Sequence, residues 1–158
     1  MAGTLQSLFG TTVGLSGATL MARVRGAAGQ LITQASLTSV AYVVTDRTTG
    51  TVGTSTALTV SAVVFNSLQQ GNPRWTQDDA NNLGPDGTHG YNFLATIPAS
   101  AFPATTPATP DYDHTDPQVD PLPIPTPPRD YQVDVIFTPT SGEPWRVVWR
   151  LRPVVVFA

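Results

Sequence analysis

Cysteine is missing from all 158 residues. That excludes a disulfide scaffold, a thiol nucleophile and a Cys-ligated zinc site. Lysine is missing as well: all eight basic residues are arginine, and Glu143 is the only glutamate beside ten aspartates. Losing Lys and Glu removes strong helix formers, while the abundant Thr and Val favour strands. A GC-rich genome is the plain explanation for the arginine bias; arginine also suits planar pairing with carboxylates at interfaces. Charge is thin, at 12% of residues and a net −3, which argues against a nucleic-acid binder with its basic face. No apolar run is longer than that from Val154 to Ala158, far short of the ~18 residues that span a bilayer. The first basic residue is Arg23, and Gly10, Thr11, Thr12, Gly14, Ser16 and Gly17 interrupt what precedes it. The expectation is therefore no secretory signal peptide and no membrane partner.

What is present suits a single domain, with 41% apolar residues in a chain of ordinary domain length. A domain of this size buries roughly 70% of its unfolded-chain surface, so a core forms without staples. Thirteen glycines and fifteen prolines punctuate it into short segments.

Several segments alternate with period two, the mark of half-buried strands. Leu20, Ala22 and Val24 oppose Met21, Arg23 and Arg25, and Gly26 and Gly29 then mark a turn. After a short extended piece at Leu31 and Ile32, Leu37 to Thr45 carries Val40, Tyr42 and Val44 on one face. Asp46 to Gly50 has turn chemistry. Thr56 to Val60 is a candidate strand. Ser61 to Leu68 fits either its continuation or a helical turn capped by Ser61, and the i+3/i+4 spacing to Leu68 favours the turn. Gln69 to Gly90 reads as a long polar loop pinned by Trp75. Tyr91, Phe93, Ala95 and Ile97 form a clear strand, followed by a short turn that returns Phe102 to the core.

Residues 103–130 are of low complexity: nine of the 28 are proline. An extended excursion is expected, inserted within the one domain. Tyr131 to Phe137 and Trp145 to Leu151 then form a hairpin around Thr138–Gly142. Beyond Pro153, Val154 to Phe157 is either an edge continuation or a separate docking strand. No βαβ alternation and no internal repeat is visible. The expected fold class is all-β, an immunoglobulin-like antiparallel β-sandwich. The expected organisation is an N-terminal arm over residues 1–19 and one sandwich over 20–158, with 103–130 as its Pro-rich loop insertion.

Candidate chemistry is sparse. His89 and His114 lie in loops, and Ser100 and Ser141 in turns without a nucleophile-elbow pattern, so no Ser/His enzyme is expected. The aspartates fall mostly in turns, which explains them without a glycosidase pair. Asp134 is mid-strand, expected to face solvent and pair with an arginine across the hairpin. Asp111, Asp113, Asp116 and Asp120 offer four carboxylates, and Asp78, Asp79, Asn81, Asn82 and Asp86 a second oxygen-rich loop. Neither matches a helix–loop–helix calcium pattern, so solvated turns are favoured, and no metal or cofactor is expected. Trp75, Trp145 and Trp149 fit a carbohydrate-binding surface or the sandwich core, with the core favoured. Arg146, Arg150 and Arg152 then face outward as a basic stripe suited to subunit contacts. Leu5, Leu8 and Phe9 either anchor an arm on a neighbouring subunit or belong to a loosely ordered terminus. Leu122 and Ile124, spaced by prolines, are apolar anchors if the excursion is an arm; a linker and a ligand for an aromatic-groove domain are the other readings.

The stretches GATLMARVRGAAGQLITQASLTSVAYVVTDRTTG, ALTVSAVVFNSLQ, GYNFLATIPASAF and YQVDVIFTPTSGEPWRVVWRLRPV resemble small immunoglobulin-like proteins encoded among phage and prophage structural genes. They are similar in style to the N-terminal module of phage baseplate upper proteins. The resemblance covers Gly17 to Phe102 and Tyr131 to Pro153 and leaves out the Pro-rich excursion. It implies a non-enzymatic virion structural protein, assembled in the host cytoplasm. The leading expectation is a capsid accessory or decoration subunit, homo-oligomeric or lattice-bound, whose partners are other virion proteins (the major capsid protein or tail proteins). A tail or baseplate component is the alternative. A bacterial surface adhesion or carbohydrate-binding module is the alternative of another class.

Overall fold

The computed structural model describes residues 6–13, 17–26, 28–73, 75, 89–102 and 129–154. They form nine strands: β1 (Gln6–Val13), β2 (Ala18–Ala22), β3 (Leu37–Asp46), β4 (Thr51–Val52), β5 (Thr56–Leu58), β6 (Val64–Gln69), β7 (Tyr91–Ile97), β8 (Tyr131–Pro139) and β9 (Trp145–Val154). A single helical turn, α1 (Val60–Val63), leads into β6. Two 3₁₀ turns flank β3 and β7, at Gln34–Ser36 and Ala99–Ala101.

The strands divide into two sheets. One runs β1-β9-β8-β3-β4, with β5 also on β3; the other runs β2-β7-β6. Leaving β1 aside, the second sheet holds the B, E and D positions of an immunoglobulin sandwich and the first holds G, F, C and C′. The fold is an immunoglobulin-like β-sandwich. All pairings are antiparallel except β1 with β9, which is parallel.

The inward faces follow the sequence alternation closely. Val40, Tyr42 and Val44 of β3, Tyr131, Val133, Val135 and Phe137 of β8, and Val147, Trp149 and Leu151 of β9 meet Leu20 and Ala22 of β2 and Phe93, Ala95 and Ile97 of β7. Phe93 bridges the sheets. Its ring lies edge-on to Phe137 at 5.2 Å between centroids and 5.8 Å from Trp149. Trp145 stacks on Phe137 with its plane tilted by 12°. Two of the three tryptophans thus pack in or against the core, as the sequence favoured, and Trp75 lies 5.6 Å from Tyr91.

Local chemistry sets the connections. The turn after β3 is organised by Asp46, whose Oδ1 accepts from the Thr48 and Thr49 amides at 2.8 and 3.3 Å. Gly50 closes the turn at φ +76, a conformation side chains rarely adopt. The expected third strand is divided. Gly53 donates to the Val44 carbonyl at 2.7 Å between β4 and β5, and Val60 already belongs to α1. The two readings of Ser61 to Leu68 both hold in part, since a helical turn over Val60–Val63 is followed by a strand. The expected cap is corrected: Ser61 lies inside the turn, and Thr59 occupies the N-cap position without a side-chain hydrogen bond. β9 runs on through Pro153 to Val154, so the strand continues over these residues, paired there with β1 and not at the sheet edge.

Residues 6–13, part of the segment expected as an N-terminal arm, pair as β1 with β9 of the same chain and cover backbone groups that a bare β9 edge would leave unpaired. One further expectation is corrected. Asp134 is 9% exposed, not solvent-facing. It sits on the central strand β8 between Val43 and Val148, its register partners on β3 and β9.

Candidate assembly surface

β9 presents two different surfaces. Its inward residues Val147, Trp149 and Leu151 are fixed in the core, which holds the backbone rigid. Its outward residues Arg146, Arg150 and Arg152 are exposed, with buried Val148 between the first two. At a strand rise of about 3.3 Å per residue, the three guanidinium stems are set along roughly 20 Å of one line. Arg146 stands opposite Ile136 and Arg150 opposite Gln132 on β8.

The one ion pair of this row among the described residues is with Asp134. Its Oδ1 is 3.9 Å from Arg146 Nη1, an ion pair too long to be a hydrogen bond. Gln132 Nε2 donates to both Asp134 oxygens, at 3.2 and 2.9 Å. The expected pairing of Asp134 with an arginine of the last strand is therefore present, diagonal across the ladder, and Gln132 completes it. Neither Arg150 nor Arg152 has an ion-pair partner among the described residues.

Of the other residues singled out from sequence, Leu8 and Phe9 lie in β1, opposite Trp149 and Arg150 in the β9 register. Leu5, Leu122 and Ile124 lie outside the described residues, as do His114 and the aspartates weighed for calcium. His89 precedes β7 and Ser100 follows it, so the strand's length separates them. Among the described residues no group of three or more His, Cys, Asp or Glu side chains is placed to hold a metal ion.

Two buried polar residues escaped the sequence reading. Asn92, fully buried in β7, accepts from the Val24 amide through Oδ1 at 2.6 Å. Its Nδ2 donates to the carbonyls of Val24 and Ile32 at 2.9 and 3.1 Å. It thereby fastens the connection between β2 and β3. An Asn inside a strongly alternating strand, where it is disfavoured, was the available signal. Asp46 is also fully buried, and its Oδ2 has no hydrogen-bond partner.

No protein-family model matches the chain, and neither a curated protein nor a solved structure matches it.

Proposed function

We propose that this chain is a non-enzymatic structural subunit of a phage virion, a capsid accessory or decoration protein that joins the head lattice through the arginine row of β9. The observation that carries the reading is that row. Its three guanidinium groups stand on a strand whose opposite face is locked into the core, so little backbone order is lost on contact. Arginine presents a planar fork of donors that matches carboxylates on a partner surface. One neighbouring acid, Asp134, lies beside the first of them, leaving Arg150 and Arg152 for acids of another chain. The sandwich topology and the strand sequences that resemble phage structural proteins give the same reading its context.

The test is particle composition. In virions purified from a culture producing the phage that encodes this chain, mass spectrometry should find the protein at hundreds of copies per particle, on the order expected of a symmetric lattice. The variant R150Q/R152Q should fold with unchanged melting yet be lost from the particles. A count in the tens moves the protein to the tail or baseplate. Absence from particles overturns the virion reading, and wild-type incorporation of the variant overturns the role of the row.

A further inference from the structure

β1 is held by a single strand. It pairs with β9 in unbroken parallel register, Gln6 opposite Val147 through to Val13 opposite Val154, and no other strand among the described residues borders it. Parallel ladders are slightly weaker per residue than the antiparallel ones that build the rest of the sandwich. Two positions weaken this one further. Gly10 lies inside β1 opposite Leu151, and Thr12 lies opposite Pro153, which has no N–H to give. The chain then passes from one sheet to the other between Val13 and Ala18. It enters β2 through Gly17 at φ +89, where an added Cβ would collide with the Ile97 carbonyl oxygen and come within 3.2 Å of the Ala99 nitrogen.

We propose that β1 is an exchangeable strand, which leaves its own β9 and adds in the same parallel register to the β9 of a second copy of this chain. The second copy is the occupant because the fit is already displayed within one chain: every register pair forms equally well between two. Exchange therefore sacrifices no ladder contact and alters only the passage into β2. A copy that lends its strand uncovers its own β9 edge. Two copies satisfy each other by trading strands, and a one-way loan propagates as a chain. This inference rests on strand pairing alone and holds whether or not the virion reading does.

The absence of cysteine makes the test clean. Thr11 and Arg152 are register partners, at a spacing a disulfide bridges. One tagged copy carries Thr11→Cys, and a differently tagged copy carries Arg152→Cys. The two are mixed at high concentration and oxidised. Exchange yields a heterodimeric disulfide in roughly tenfold or greater excess over a control pairing Thr11→Cys with Thr49→Cys in the exposed turn after β3. Cross-linking at the control level overturns the proposal if the double variant T11C/R152C closes within single chains, because that result shows the register intact and confined to one copy. Failure of the double variant to close at all refutes the strand pairing itself, and the proposal with it. Neither result touches the copy number on which the virion reading depends.

Discussion

Replacing Asn92 by alanine should be the most damaging polar substitution in the sandwich. The side chain serves three backbone groups at 2.6, 2.9 and 3.1 Å. One of them, the Val24 carbonyl, also accepts from the Ile32 amide at 3.2 Å and keeps a partner when Asn92 is gone. The Val24 amide and the Ile32 carbonyl lose theirs. Val24 and Ile32 are both buried, and each orphaned group costs about 1–3 kcal/mol. The expected loss is about 4 kcal/mol, which at about 2–4 °C per kcal/mol for a chain of this size lowers Tm by about 8–16 °C. Urea unfolding of the full chain measures it. Asn92→Asp separates hydrogen bonding from shape. It preserves the outline and the acceptor for Val24 but aims an oxygen at two carbonyls, so it should destabilise at least as much as alanine. A loss below about 1 kcal/mol for alanine, or wild-type stability for aspartate, refutes the reasoning.

Phe93→Ala removes the ring between Phe137 and Trp149 and should cost about 3–5 kcal/mol in chemical denaturation. Asp46→Asn keeps the Oδ1 that serves the turn amides and replaces the unpartnered Oδ2 by a neutral group. It should stay within about 1 kcal/mol of wild type, whereas Asp46→Ala should lose about 1–3 kcal/mol in the same assay. The Arg47–Asp130 pair is 3.0 Å long but has side chains 38% and 29% exposed. After allowance for solvent screening, Arg47→Ala should change stability by less than about 1 kcal/mol, a difference that added salt reduces.

The parts of this fold that show in the sequence are those whose pattern is local. β3, β7, β8 and β9 alternate branched or aromatic residues with polar ones over seven or more positions, and their inward faces form the core as read. β1 carries no such signal. QSLFGTTV lacks period two, and its place depends on an edge more than a hundred residues later in the chain. β4 and β5 are too short to show a pattern. The burial of Asp134 and Asn92 was hidden for a related reason: alternation assigns a side chain to a face, and what covers that face comes from other strands. For the arginine row the situation reverses. Its outward direction follows directly from the tryptophans and aliphatics that interleave with it.

The two sheets meet through Phe93, Phe137 and Trp149, and with no cysteine in the chain no disulfide crosses between them. The sandwich therefore closes equally well in reducing and oxidising surroundings. Dithiothreitol should leave its melting curve untouched, and chains unfolded in urea need no oxidant and no disulfide rearrangement to find their partners again.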